Sequence, residues 1–104
     1  MVIYSSQAIN DLTNILLGLR KWVKHYISDE HALSYVDDIS DVCDLIDSKV
    51  FHFNAQFPEH KRFGDKAHTY RRNKQTIWYI IYNLDPHGNV YIQRIFSNHI
   101  TAKI

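Results

Sequence analysis

The stretch from Thr76 to Leu84 carries no charge and is dominated by Ile, Trp and Tyr. A run of that length, rich in β-branched and aromatic side chains, reads as a strand covered on both faces. Asp85-Pro86-His87-Gly88 follows with turn chemistry: Pro presets one backbone angle and Gly permits the left-handed one. From Val90 the pattern alternates and predicts a second strand, with Val90, Ile92 and Phe96 on one face and Tyr91, Gln93, Ile95 and Ser97 on the other. Upstream, His68 to Arg72 reads as a third, outer strand. The result is an antiparallel meander whose rim carries Arg71, Arg72, Lys74, Arg94 and His99. Val2-Ile3-Tyr4 adds a short edge strand to it.

Two helical stripes precede the meander. Ile9, Leu12, Leu16, Leu19, Val23 and Tyr26 recur by threes and fours, predicting a helix of about five turns with Ser5 or Ser6 as its N-cap. Gly18 lies inside it. Ala32, Val36, Ile39, Cys43, Ile46, Val50 and Phe53 form a second stripe, capped by Ser28, with Asp29 and Glu30 in the first turn where the helix dipole favours negative charge. So short a connection predicts an antiparallel αα-hairpin. Gln56 to Gly64, punctuated by Pro58 and Gly64, has loop character. The class is therefore α+β in the order β-α-α-β-β-β, with the N-terminal αα-hairpin packed on one face of a mostly antiparallel sheet. The other face and the basic rim are expected to stay available.

At 104 residues the chain makes one domain, 1–104. No apolar run approaches the roughly 20 residues of a membrane span, and no signal peptide is expected. A single cysteine excludes an internal disulfide and fits a reducing, cytoplasmic setting. The net charge of +1 hides a division. Residues 1–50 hold four Lys or Arg against eight Asp or Glu, whereas residues 51–104 hold eight against three and five of the seven histidines. This asymmetry points to a basic working face and a separate acidic one, the latter carried by Asp37, Asp41, Asp44 and Asp47.

Basic strands interleaved with aromatics suit nucleic acid, because Arg and Lys hold phosphates while aromatic rings stack on unpaired bases. Lys66, His68, Tyr70, Lys74 and Tyr79 are the candidate RNA contacts. Metal-independent cleavage of RNA needs a base for the ribose 2′-OH, an acid for the leaving oxygen and fixed positive charge. His99 is the candidate acid, Glu59 or His68 the base, and Arg94 with Arg71 or Arg72 the charge. Neighbouring strand positions point to opposite faces, so at most one of Arg71 and Arg72 reaches a shared site. Structural roles compete for the same residues. Trp78, Ile80 and Tyr82 on one face, and Ile77, Tyr79 and Ile81 on the other, suit a core; Arg94 suits a buried carboxylate; Cys43 suits packing. No histidine spacing suggests a metal, and no cofactor is expected.

Three segments carry a likeness to a known family: Tyr4-Ser5-Ser6-Gln7-Ala8-Ile9-Asn10-Asp11-Leu12, Trp78-Tyr79-Ile80-Ile81-Tyr82, and Gly88-Asn89-Val90-Tyr91-Ile92-Gln93-Arg94-Ile95-Phe96 followed by His99. In this order the chain resembles the RelE/ParE superfamily, the toxins of bacterial type II toxin–antitoxin modules. The resemblance implies a growth inhibitor neutralised by a cognate antitoxin protein. Some members cut ribosome-bound mRNA, and others poison DNA gyrase without nuclease activity. Arg71 and Arg72 resemble the basic pair of one nuclease group, Glu59 falls near its acidic catalytic residue, and His99 falls at or beside the C-terminal histidine of several subgroups. Trp78-Tyr79 stands where nuclease subgroups commonly carry an Arg, which is what keeps gyrase inhibition as the alternative.

Overall fold

A computed structural model describes residues 1–22 and 29–98. Strand β1 (Val2–Tyr4) leads into helix α1 (Ser6–Trp22), followed by α2 (Asp29–Asp44), a 3₁₀ turn (Ile46–Ser48), a one-turn helix α3 (Pro58–Lys61) and strands β2 (Lys66–Arg71), β3 (Ile77–Leu84) and β4 (Val90–Ser97). The class is α+β. The sheet is mixed, in the order β1-β4-β3-β2, with β2–β3–β4 antiparallel and β1 parallel to β4.

Ser5 makes the turn from β1 into α1. Its Oγ accepts from the Ala8 N–H at 3.0 Å, and its own N–H donates to Ile92 O at 2.9 Å. Both long helices pack on one sheet face. Ala8, Ile39, Cys43 and Ile46 close over Trp78, Ile80, Tyr82, Val90, Ile92 and Ile95. Tyr4 Oη bonds to Ser40 O and Asp44 Oδ1, which sets the end of α2 beside the start of α1, so the helices run antiparallel.

Several expectations need correcting. The α1 stripe runs through Ala8, Leu12 and Ile15, while Ile9 is 53 % exposed. Val23, Tyr26 and Ser28 lie outside the described residues. The second helix ends at Asp44, so Val50 (86 % exposed) and Phe53 (66 %) leave the stripe. The Gln56–Gly64 loop contains α3.

In β4 the faces are rephased by a bulge. Ile81 pairs with Arg94 and Tyr82 with Ile92, leaving Gln93 as the extra residue. Ile95 therefore joins Val90 and Ile92 under the helices, and Phe96 turns with Arg94 to the opposite face.

That opposite face is not bare. Residues 55–64 cross it with Ala55, His60 and Gly64 buried and Phe63 half-buried. The segment begins with a short pairing on the outer edge of β2: Ala55 N–H donates to Asp65 O at 2.8 Å and Ala67 N–H to Phe53 O at 2.9 Å.

The two glycines of the helix and the crossing differ in surroundings. A Cβ on Gly64 would lie 3.0 Å from Ile81 Cγ2 and 3.1 Å from Tyr82 O, whereas one on Gly18 meets nothing within 4 Å. Gly64→Ala is expected to lower stability by roughly 1–3 kcal/mol through overpacking against backbone. Gly18→Ala is expected to raise it by up to about 1 kcal/mol through helix propensity. Urea unfolding midpoints of the two variants check both signs.

Candidate nucleic-acid interface

The crossing segment builds the site. Phe57 ends in extended backbone, and Pro58 supplies the preset angle for the first helical position, so Phe57 O accepts from His60 N–H at 2.9 Å and Lys61 N–H at 3.0 Å. That turn drives the His60 ring into a cage of aromatics: Tyr79 at 4.6 Å, Phe96 at 5.0 Å and Phe57 at 5.0 Å between centroids. His60 is buried, and its Nε2 has no hydrogen-bond partner among the described residues. Burial holds its pKa below the usual histidine value, opposed in part by Glu59, so the ring stays neutral at neutral pH.

Above it opens a cleft of about 220 Å³ lined by Phe57, Glu59, His60, Tyr79 and Asn98. Glu59 and Tyr79, both selected from sequence, meet there. Arg71 pairs with Ile77 and Thr69 with Tyr79, so Arg71 lies on the same sheet face as Tyr79 and is exposed. Asn98 fastens the end of β4 to the β2–β3 turn: its Oδ1 accepts from Ile77 N–H at 3.1 Å and its Nδ2 donates to Gln75 O at 3.2 Å. That turn carries Lys74, which is exposed. His99 follows Asn98 directly and lies outside the described residues.

The remaining candidates are elsewhere. Arg72 faces the helices, where its guanidinium pairs with Asp38, donates to Tyr70 Oη at 3.0 Å and covers the Tyr35 ring at 4.4 Å. Tyr35 in turn accepts from Trp78 Nε1 at 2.9 Å, so Arg72 and Tyr70 pin β2 to α2. His68 is on that face too, with Lys49 Nζ donating to its Nδ1 at 2.8 Å; burial and this cation both lower its pKa. Lys66 bonds Asn54 Oδ1 at 2.6 Å.

Arg94 is held by a carboxylate. Its Nε and Nη2 donate to Asp11 Oδ2 and Oδ1 at 2.8 and 3.1 Å, with the guanidinium over Phe63 at 4.7 Å. Asp11 Oδ2 also accepts from the Ile95 N–H at 2.8 Å. Together they line a larger cleft of about 550 Å³ between α1 and β4, apart from Glu59 and Tyr79. The structure therefore brings Glu59 and Tyr79 together, keeps Arg71 exposed on the same sheet face, and ties Arg94, Arg72, Tyr70 and His68 into contacts elsewhere. Sequence reasoning passed over His60 and Asp11. The aromatics three residues to either side of His60 were the available signal for the first, and the neighbouring core positions Ala8, Leu12 and Ile15 for the second. Cys43 is buried, with its thiol pushed up to about 12 by burial, and is inert. Among the described residues, no three His, Cys, Asp or Glu side chains are grouped as metal ligands. No helix there is long and apolar enough to cross a membrane.

Removing the Asp11 carboxylate strands a largely buried guanidinium and the Ile95 N–H. Asp11→Ala is expected to destabilise by about 2–3 kcal/mol. Asp11→Asn keeps an acceptor and recovers part of this, as read from urea unfolding.

His60 gives stability a pH dependence. Its folded pKa is lowered, so below about 6.5 the unfolded chain binds a proton that the folded chain refuses, and stability falls as pH falls. His68 acts in the same direction. His60→Phe removes an unpartnered buried nitrogen, so it should be at least as stable as the wild type near pH 7.5 and show a shallower decline towards pH 5.5; an unchanged slope would contradict the assignment. Comparison of the chain with protein-family models, with curated proteins and with solved structures finds no match.

Proposed function

We propose that this chain is the toxin of a type II toxin–antitoxin module with a RelE/ParE-like arrangement, acting in the cytoplasm as a metal-independent endoribonuclease on ribosome-bound mRNA and neutralised by a cognate antitoxin. The observation that carries this reading is the cleft where Glu59 and Tyr79 meet beside the end of β4, with the exposed Arg71 on the same sheet face.

In this reading Tyr79 stacks on a base and orients the strand. The Glu59 carboxylate takes the 2′-OH proton as O2′ attacks the adjacent phosphorus. Arg71, with Lys74 nearby, faces the charge that develops on the phosphorane oxygens. The P–O5′ bond then breaks. The leaving oxygen takes a proton from His99, so one product ends in a 2′,3′-cyclic phosphate and the other in a 5′-OH. His60 stays neutral beneath the site and supports the ring of Tyr79.

One observation favours the alternative, a gyrase inhibitor without nuclease activity. Arg94 and Arg72, two of the cations such a nuclease would use, are bound to Asp11 and Asp38.

Purified protein added to a translating extract is expected to cut message. Glu59→Gln and Arg71→Ala should each slow cutting by about a hundredfold or more. Intact message together with inhibited gyrase supercoiling would establish the alternative. Normal growth at high expression without antitoxin would mark a fold that has lost toxicity.

A further inference from the structure

The connection from α2 to β2 exposes large apolar side chains at Leu45, Val50, Phe51, Phe53 and Phe57. Isolated apolar residues on a surface need no explanation, but a run of this kind marks a contact site. Phe53 and Phe57, 66 % and 48 % exposed, differ from the others in flanking one and the same cleft. Phe53 is not on a loose loop: its carbonyl accepts from Ala67 N–H at 2.9 Å, and the next residue, Asn54, bridges to Lys66. Phe57 is set by α3 and packs edge-on to Tyr79 at 6.0 Å between ring centroids.

The cleft they flank measures about 210 Å³. Thr69 and Tyr79 form its sheet wall, Asn54 and Gln56 its rim, and His60 lies against it with Nε2 unpartnered. Two cations stand near it: Lys66 bonds Asn54 on its rim, and Arg71 is two positions along β2 from Thr69 on the same face. Lys49 Nζ, 5.6 Å from the Phe53 ring, is turned to His68 on the helix face.

We infer that this slot takes one unpaired base of an RNA strand, resting on the RNA-directed reading above. Exposed aromatic faces offer stacking surface to any base, the amide and hydroxyl groups of the rim meet base edges, and the cations outside meet phosphates. An aliphatic side chain of a protein partner would use the phenylalanines but neither the rim amides nor the surrounding positive charge. The slot shares Phe57, His60 and Tyr79 with the Glu59 cleft. A base seated in it therefore holds the neighbouring nucleotide beside the Glu59 carboxylate, and Phe53 and Phe57 act as positioning residues.

The test is fluorescence anisotropy of a 5′-fluorescein-labelled single-stranded RNA octamer of mixed sequence with the full chain. Saturable binding is expected, weakened about tenfold by Phe53→Ala and again by Phe57→Ala, the loss of one stacked contact each, and restored by Phe57→Tyr. Phe53→Ala should leave the unfolding midpoint unchanged, whereas Phe57→Ala also loses ring contacts to His60 and Tyr79 and lowers it modestly, so its binding is read under conditions where circular dichroism shows the variant folded. Failure of the wild type to bind the octamer, or equal binding by the double variant, would overturn the slot. So would a double variant that binds RNA normally but no longer binds the cognate antitoxin, because the patch would then be a protein-docking face. The slot and the nuclease reading fail separately. Phenylalanine-dependent binding with message left intact keeps the slot and removes the nuclease. Wild-type cutting of message by the double variant keeps the nuclease and removes the slot.

Discussion

The carboxylate of Asp11 does the work of a missing strand. β1 pairs with β4 only from Val90 to Ile92, so beyond that point the β4 edge would face α1 with unsatisfied backbone donors. Asp11 accepts the Ile95 N–H and at the same time two N–H groups of Arg94, which neutralises the charge that a helix-borne carboxylate would otherwise bury alone. This one group fixes how closely α1 approaches the sheet. It also holds the Arg94 guanidinium beside α1.

With the helices secured on one face, the opposite face is closed by a crossing segment rather than by a third layer. The crossing works because Gly64 passes close to the β3 backbone and because His60 can be buried as a neutral ring among aromatics. An unpartnered imidazole nitrogen is an expensive choice for a core position. Its neighbours are Glu59 and Tyr79, which line the candidate cleft half-buried. The site therefore stands on the thinner of the two layers, where the sheet is covered by a single turn of helix.

How much of this was legible in the sequence follows from the range of each interaction. The β3 strand, the Asp85–Gly88 turn and the Ala32–Cys43 part of the second helix stripe are local patterns and could be read directly. The turn is held by its own side chain, with Asp85 accepting from Asn89 Nδ2, Asn89 N–H and His87 N–H and drawn down to about 2 by those bonds, while Gly88 takes the positive φ of 83°. The bulge at Gln93 has no such local mark. Its carbonyl is held by Ser5 Oγ, 88 positions away, and a regular alternation drawn through β4 puts Ile95 and Phe96 on the wrong faces. Threes and fours continue from Ile46 to Phe53 although the helix has stopped, so spacing alone overextended α2. Residue type identified Arg94 and Arg72 as cations but not their partners, which lie 83 and 34 positions away. Both partners belong to the acidic half of the chain, so part of the charge division seen in sequence is closed in space.

The parallel pairing of β1 with β4 joins the two ends of the described fold. A chain emerging from the ribosome makes α1 and α2 first, and their apolar stripes have no sheet to rest on until Val90 to Ser97 has been synthesised. The β2–β3–β4 meander closes through short turns, but β1 and the helices must wait for the last strand and close a loop of almost the whole chain. Maturation is thus a late, collective event after most of the polypeptide exists, and a nascent chain halted before β4 presents two uncovered amphipathic helices to whatever binds such surfaces in the cell.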